Sequence, residues 1–362
     1  MLPLNWQKVR LGDILSYEQP TKFLVATTQY LQKGFTPILT AGKTFILGYT
    51  NDKHGIYTNI PVIIFDDFTT DSKMVNFPFK VKSSAIKILS LRDNNQADLK
   101  YIYEKLTLLK HQVTDHKRYW IDEFSNFEIP LPPLNEQIAI ANILSDVDRY
   151  LYSLDALILK KESVKKALSF ELLSQRKRLK GFNQNWQKVR LGDILSYEQP
   201  TKFLVATTQY LQKGFTPILT AGKTFILGYT NDKHGIYTNI PVIIFDDFTT
   251  DSKMVNFPFK VKSSAIKILS LRDNNQADLK YIYEKLTLLK HQVTDHKRYW
   301  IDEFSNFEIP LPPLNEQIAI ANILSDVDNE IISLKNKKRQ FENIKKALNH
   351  DLMSAKIRVL KR

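Results

Sequence analysis

One long stretch of this chain occurs twice without a single change. Residues 5–148 recur as residues 185–328, so each copy has 144 residues and the offset between the copies is 180. Repeats of this size are whole domains rather than the short stacked units of a solenoid. We therefore expect two identical domains, which present the same surface chemistry twice along one chain.

The segments that follow the two copies are related but different. Residues 149–182 and 329–362 each have 34 residues, and both contain the run Lys-Lys-Ala-Leu, at 165–168 and at 345–348. An invariant domain thus alternates with a variable segment. The predicted boundaries are 1–134 for the first domain, 135–181 for the first long spacer helix, 182–314 for the second domain and 315–362 for the second long spacer helix.

Each variable segment continues a helix that starts near the end of the repeat. Pro132 and Pro133 end the preceding segment, and Asn135 and Glu136 are favourable at a helix N-terminus. From there, seam positions alternate at spacings of four and three residues, which is the heptad pattern of a coiled coil. The seam positions are Ile140, Leu144, Val147, Leu151, Leu154, Ile158, Lys161, Lys165, Leu168, Leu172, Gln175 and Leu179 in the first helix, and Ile320, Leu324, Val327, Ile331, Leu334, Lys338, Phe341, Lys345, Leu348, Leu352, Ala355 and Val359 in the second.

Two seams in one chain favour pairing of the two helices with each other. The alternative is that each helix packs only on its own domain. Lys165 and Lys345 occupy equivalent seam positions, where a charged residue weakens the seam locally and can fix its register.

Within the repeat, short apolar runs rich in β-branched residues alternate with one helical pattern. The runs predict strands, and the helical spacing of Leu99, Ile102, Leu106 and Leu109 predicts a helix. The fold class is therefore mixed α/β. The predicted strands of the first copy lie at 35–39, 45–49, 60–65, 85–89 and 127–131.

Charge and composition narrow the class of protein. Each copy holds 16 basic and 16 acidic residues, so the net charge of +13 arises in residues 149–184 and 329–362. Such basic segments suggest a polyanion or an acidic partner, the alternative being a solvated helix face. The chain has no cysteine, which suits a cytoplasmic location, and we expect neither a signal peptide nor a membrane-spanning helix.

Motifs for catalysis are weak. Ala41-Gly42-Lys43-Thr44 resembles the end of a phosphate-binding loop but has Pro37 where the first glycine should stand. Asn76-Phe77-Pro78-Phe79 lacks the first proline of an amino-methyltransferase motif, and no glycine-rich cofactor loop accompanies it. The acidic run containing Asp66, Asp67, Asp71 and Lys73 could hold Mg²⁺ in a nuclease, but it lies within one short loop. A structural or DNA-contacting loop is the better interpretation.

Three polar, basic and aromatic stretches look like a binding surface. They span residues 40–43 with 49–54, then 66–73, then 114–120 of the first copy. Lysine and arginine can donate to phosphate or guanine, and asparagine and threonine can contact adenine edges or thymine methyl groups. The predicted DNA-binding residues are Thr40, Lys43, Tyr49, Asn51, Lys53, Thr69, Thr70, Lys73, His116, Lys117 and Arg118, with Thr220, Lys223, Tyr229, Asn231, Lys233, Thr249, Thr250, Lys253, His296, Lys297 and Arg298 in the second copy. The other interpretation is three ordinary surface loops.

Several runs resemble one known family. They are Trp6-Gln7-Lys8-Val9-Arg10-Leu11-Gly12-Asp13-Ile14, Val62-Ile63-Ile64-Phe65-Asp66-Asp67, and Ile129-Pro130-Leu131-Pro132-Pro133-Leu134-Asn135-Glu136-Gln137 leading into a helix. Together with the Lys-Lys-Ala-Leu run, they make each half of the chain similar to half of the specificity subunit of a type I restriction-modification system. The resemblance covers nearly the whole chain. Members of that family usually carry two different domains, whereas the two domains here are identical.

The resemblance implies a non-catalytic subunit with two target-recognition domains and two conserved spacer helices. Its implied partners are double-stranded DNA, two methyltransferase (modification) subunits and two restriction (motor-nuclease) subunits, with no membrane. No cofactor is expected on this chain, and S-adenosylmethionine is expected on the methyltransferase. No metal site and no catalytic residue are expected.

Symmetry joins the resemblance to the sequence pattern. If the two helices pair antiparallel, the identical domains are related by a pseudo-twofold axis and recognise the same half-site in inverted orientation. The helix length would then set the gap between half-sites. The alternatives are an interaction protein whose purpose is the coiled coil, and an autonomous Mg²⁺-dependent nuclease.

Overall fold

The structure is a computed structural model that describes residues 3–26, 28–40, 44–109, 118–206, 209–221, 224–289 and 298–359. The chain divides into two compact units. Unit 1 comprises Met1–Asp155 together with Asn336–Arg362, and unit 2 comprises Ala156–Lys335. Each unit therefore contains one copy of the repeated domain, the start of one long helix and the end of the other.

The repeated domain has the same order of elements in both copies. The first copy consists of β1 (Gln7–Arg10), α1 (Leu11–Ile14), β2 (Leu15–Glu18), β3 (Thr36–Leu39), β4 (Ile46–Thr50), β5 (Val62–Asp66), β6 (Ser72–Val75), β7 (Lys80–Val81), β8 (Ile86–Leu91), α2 (Leu99–Leu108), α3 (Tyr119–Asp122) and β9 (Glu128–Leu131), and is followed by α4 (Leu134–Leu173). The second consists of β10 (Gln187–Arg190), α5 (Leu191–Ile194), β11 (Leu195–Glu198), β12 (Thr216–Leu219), β13 (Ile226–Thr230), β14 (Val242–Asp246), β15 (Ser252–Val255), β16 (Lys260–Val261), β17 (Ile266–Leu271), α6 (Leu279–Leu288), α7 (Tyr299–Asp302) and β18 (Glu308–Leu311), and is followed by α8 (Leu314–Met353). Short 3-10 helices lie at Pro20–Phe23, Phe124–Asn126, Pro200–Phe203 and Phe304–Asn306.

Three sheets build each domain. In the first copy, a four-stranded sheet has the order β2-β8-β5-β6, a three-stranded sheet has the order β4-β3-β7, and β1 pairs with β9. All these pairings are antiparallel except that of β3 with β7. The mixed α/β class is confirmed, and the five predicted strands of the first copy are present within two residues of their predicted ends.

Strand β5 separates two apolar cores because both of its faces are buried. Its alternating side chains point to opposite sides of the sheet. Ile63 and Phe65 pack with Trp120 and the α2 side chains, whereas Val62 and Ile64 pack with residues of the three-stranded sheet such as Val81. This burial explains why the sequence of β5 is a continuous apolar run.

The two long helices pair within each unit. In unit 1, Lys345 Nζ lies 2.6 Å from Asp148 Oδ1 and Lys338 Nζ lies 2.6 Å from Asp155 Oδ1. Residue numbers rise along α4 while they fall along α8, so the helices run antiparallel. In unit 2, Lys165 Nζ lies 2.6 Å from Asp328 Oδ1 in the same manner. The expectation of paired helices is confirmed, and packing of each helix on its own domain alone is excluded.

The seam lysines also form ion pairs with acidic residues of the repeated domains. Lys345 also lies 3.3 Å from Glu104 Oε1, and Lys165 lies 3.4 Å from the equivalent Glu284 Oε1. Although burial opposes it, hydrogen bonds from Lys100 and Lys345 lower the pKa of Asp148. Each seam lysine thus joins the end of one helix to α2 or α6 of the domain on which that end packs, which fixes the helix register.

The long helices are shorter than predicted. They end at Leu173 and Met353 instead of reaching 181 and 362. The chain turns soon after, where Gln175 and Ala355 adopt φ of 62° and 59°. A left-handed residue terminates a helix. The last predicted seam positions therefore lie beyond the helices. Among the described residues, no helix has the length and hydropathy needed to cross a membrane.

Candidate nucleic-acid interface

A buried lysine holds the loop that follows β4. Lys80 is only 4% exposed, and its Nζ donates to Asp52 Oδ2 at 2.6 Å and to the His54 carbonyl oxygen at 2.7 Å. The hydrogen bond from Lys80 and that from the His54 backbone lower the pKa of Asp52. Residues 51–55, which we call the clamped loop, are thus held by the buried Lys80 side chain, while Lys53 and His54 remain exposed.

The clamped loop is joined to a second exposed segment before β3. Asn51 Oδ1 accepts a hydrogen bond of 3.2 Å from the Phe35 backbone N–H. A Cβ on Gly34 would lie 2.9 Å from Tyr49 Cβ, so the two backbones approach too closely for any larger residue. One acceptor site of the Asn51 side-chain oxygen is therefore used within the domain, while its amide N–H groups can contact a ligand.

The chain between β5 and β6 forms a tight acidic turn. Asp66 accepts hydrogen bonds from the Phe68 backbone N–H at 3.0 Å and from Thr69 Oγ1 at 2.5 Å. Thr70 closes the turn with φ of 62°. Beyond it, the exposed Lys73 places its Nζ 4.6 Å from the centre of the Phe45 ring. Lys73 is thus exposed on strand β6, directly after the turn.

A buried ion pair fixes the segment that carries Arg118. Asp67 and Lys87 have fully buried side chains, with 3.1 Å between Asp67 Oδ2 and Lys87 Nζ. The two atoms are close enough for charge attraction, although neither has a well-aligned hydrogen bond among the described residues. Asp67 also accepts from the Trp120 backbone N–H at 2.7 Å, and its carbonyl oxygen accepts from Tyr119 N–H at 3.0 Å. Arg118 is therefore exposed and directly precedes a backbone segment that these hydrogen bonds anchor.

The structure describes eight of the eleven candidate residues of the first copy. Tyr49 is half-buried, and Asn51 and Lys53 belong to the clamped loop. In the second copy, Thr220 and Lys253, the counterparts of Thr40 and Lys73, line one small cavity with Phe225. Lys43, His116, Lys117, Lys223, His296 and Lys297 lie outside the described residues, so their placement remains a prediction.

The second copy repeats these contacts. Lys260 donates to Asp232 at 2.6 Å, Thr249 to Asp246 at 2.6 Å, and the Trp300 backbone N–H to Asp247 at 2.7 Å. Arg298, like Arg118, precedes the anchored helix and is exposed. The described members Thr220, Tyr229, Asn231, Lys233, Thr249, Thr250 and Lys253 occupy the same positions as their counterparts.

Two of the three acidic residues of the nuclease alternative have structural partners. Asp67 pairs with Lys87 and accepts from the Trp120 backbone N–H, and Asp66 accepts hydrogen bonds within its own turn. Within the described ranges, no group of three histidine or acidic side chains could hold a metal ion. The geometry supports exposed donors on rigid loops, which suits contacts to phosphates and base edges.

Sequence reasoning missed the residues that hold these loops. The sequence analysis assigned no role to Lys80 or Lys87, yet one is 4% exposed and the other fully buried. The weak signal for both was their position inside strands whose neighbouring residues are apolar. Phe35 was predicted only as the first residue of a strand, and its exposure was not predicted.

Known proteins resemble the chain over most of its length. The pattern of a family described as type I restriction modification DNA specificity domain matches residues 3–161 and again residues 183–343. The specificity subunit of the type I restriction enzyme EcoR124I/EcoR124II from Escherichia coli is 33% identical over 88% of this chain and 85% of its own length. The specificity subunit of the type I restriction enzyme MjaVIII from Methanocaldococcus jannaschii is 24% identical over 99% of this chain and 94% of its own.

Solved structures agree on the fold. The crystal structure of a type I restriction-modification S subunit from M. genitalium aligns with a TM-score of 0.70 at 18% identity, covering 97% of this chain and 98% of that chain. A chain from a structure of the assembling type I restriction-modification system aligns with a TM-score of 0.50 at 14% identity, covering 99% of this chain and all of that one.

Proposed function

The chain belongs to the family of type I restriction-modification DNA specificity proteins, and on this premise we propose that it is the DNA-recognition subunit of a type I restriction-modification complex. It supplies sequence recognition and no catalysis. The observation that carries the proposal is the duplication of two anchored segments: the clamped loop and the Arg118 segment recur with the same contacts around Lys260 and Asp247.

Rigid presentation matters because recognition of base edges depends on donor position. Ordering a flexible side chain upon binding costs conformational entropy, which lowers the affinity of the protein for DNA. Here Lys80 and Asp67 fix the backbone on the protein side, so Lys53 and Arg118 start from defined positions. Exposed lysine and arginine can contact phosphates, while asparagine and threonine can contact base edges.

The proposed target consists of one half-site occurring twice, in inverted orientation, with a fixed gap. Identical domains have identical recognition surfaces, and the antiparallel helices favour a twofold arrangement of the half-sites. Methyltransferase subunits with bound S-adenosylmethionine, and restriction subunits where present, complete the proposed complex. We expect this complex to act in the cytoplasm.

The first prediction concerns the methylation pattern. A genome that carries this chain and its methyltransferase should show one methylated adenine on each strand of a palindromic, interrupted sequence. The reason is that both domains have the same 144 residues. Single-molecule sequencing of methylated DNA, compared with a strain lacking this chain, gives the measurement. Two unrelated half-sites would contradict the proposal, as would a methylation pattern that does not change when the chain is removed.

The second prediction concerns DNA contacts. Alanine at Lys73 and Arg118, made together with Lys253 and Arg298 in the second copy, should weaken target binding and reduce its salt dependence. Each lost base contact should cost about 1–3 kcal/mol per half-site, and each lost phosphate contact should lower the salt slope by about one.

The matched control is alanine at Lys8 and Lys188, which are exposed lysines on β1 and β10. Fluorescence anisotropy over a range of salt concentrations measures both quantities. Equal affinity and equal salt slope in the Lys73/Arg118 variant and the Lys8 variant would remove these residues from the interface.

A further inference from the structure

The most exposed aromatic side chain of each domain is a phenylalanine beside the clamped loop. Phe35 is 88% exposed and Phe215 is 87% exposed. Full burial of such a side chain is worth about 1.5–3 kcal/mol, which the free protein forgoes at both positions. The two values agree because both copies hold the residue in the same way.

The backbone of Phe35 is held in place although its ring is free. Its N–H donates to Asn51 Oδ1 at 3.2 Å, and Asn51 belongs to the clamped loop, which Lys80 holds. Gly34 fits against Tyr49 with no room for a Cβ. The ring is therefore directed outward from a fixed point, and ordering it on a ligand costs little backbone entropy.

The charges around the ring favour a polyanionic ligand. Lys33 and Lys53 are exposed on the two segments that the Asn51 hydrogen bond joins, and within the described part of the chain neither forms an ion pair. The acid of the clamped loop, Asp52, is paired with Lys80 at 2.6 Å. An exposed apolar ring on segments that also carry exposed lysines matches a nucleic acid, whose bases are apolar in face and whose backbone is anionic.

We propose that Phe35 and Phe215 are wedge residues that insert into a base step of each half-site, with Lys33 and Lys53, and Lys213 and Lys233, contacting the flanking phosphates. The inference rests on the proposed DNA-recognition function and adds a mode of recognition to it. Insertion of an apolar side chain unstacks one base step and bends the duplex, so the sequence at that step affects affinity through its ease of deformation.

The test uses the full chain in complex with its methyltransferase subunits and the target found by methylation mapping. 2-Aminopurine is placed in turn at each adenine and at neighbouring positions of one half-site, except at the adenine that the methyltransferase flips out. Wild-type complex should raise its fluorescence at one step, because unstacking relieves quenching. Alanine at both Phe35 and Phe215 should abolish this rise and weaken target binding at least about tenfold, whereas tryptophan at both positions should retain both properties.

Leu31 and Leu211 provide the matched control, since each is 45% exposed and lies beside β4 or β13. Alanine at these two positions should leave fluorescence and affinity unchanged. A wild-type complex that selects its target without any fluorescence rise, or an alanine variant at Phe35 and Phe215 with the wild-type rise, overturns the wedge and leaves the proposed function standing. The wedge is also overturned if the alanine variant at Phe35 and Phe215 binds DNA normally but no longer associates with the methyltransferase. That result would assign the ring to a protein contact. Failure of the wild-type complex to discriminate target from scrambled DNA overturns the proposed function instead.

Discussion

Methionine in place of Lys87 is expected to destabilise the first recognition domain by about 3–5 kcal/mol, enough to unfold it under mild conditions. The substitution leaves the fully buried carboxylate of Asp67 without its cation. Attraction across 3.1 Å in a poorly solvated site is replaced by an uncompensated buried charge. Since Asp67 anchors Tyr119 and Trp120, loss of the pair should also release the Arg118 segment.

Thermal and urea unfolding of the full chain measure the effect, and the unaltered Lys267–Asp247 pair of the second domain serves as an internal reference. The double variant Lys87→Met with Asp67→Asn should recover most of the stability, because an amide at 67 can still accept from Trp120 N–H. Methionine at the exposed Lys53 should have almost no effect. Equal stability of the Lys87 and Lys53 variants would show that the buried pair is not needed.

Alanine in place of Leu352 is expected to destabilise unit 1 by about 2–5 kcal/mol, even though this residue lies far along the chain from the first recognition domain. Leu352 is 1% exposed and packs in the same apolar core as Trp120, Ile140 and Leu144. Removing its side chain leaves a cavity that the surrounding residues fill only in part.

Two further variants sharpen this test. Alanine at Leu172, the equivalent position in α4, should destabilise unit 2 instead, because Leu172 packs in the core that contains Trp300. Alanine at Ile344, which is 50% exposed on the same helix as Leu352, should change stability little. Hydrogen exchange assigns the loss to a unit. Protection lost first in residues 185–328 of the Leu352 variant would contradict the assignment of this helix end to unit 1.

The helices and strands could be predicted from the sequence because the spacing of apolar residues depends only on neighbouring positions in the chain. The heptad seam predicted α4 and α8, and the apolar run at 60–65 predicted β5. The helix ends were not accessible, since Gln175 and Ala355 adopt a left-handed conformation that usually marks glycine or asparagine. Short strands such as β6 and β7 carry too few residues for a period to be recognised.

The candidate interface could be predicted only as exposed loops. Which residue supports each loop depends on contacts distant in sequence, such as Lys80 with Asp52 and Lys87 with Asp67. A lysine gives the same sequence signal whether it faces DNA or neutralises a buried acid. The exposure of Phe35 was equally hidden, because an aromatic residue next to an apolar strand normally enters a core.

The division of the chain between the two units has a consequence for biosynthesis. Unit 2 is one continuous stretch, Ala156–Lys335, and all of its core residues are translated before the last part of α8. Unit 1 needs Leu352 and Met353 for its core. Domains ordinarily complete folding in the order of their translation, but here the recognition domain that is translated first must wait for the end of α8, which is translated after the second domain. Premature termination shortly before Leu352 would therefore leave the earlier of two identical domains incomplete and the later one whole.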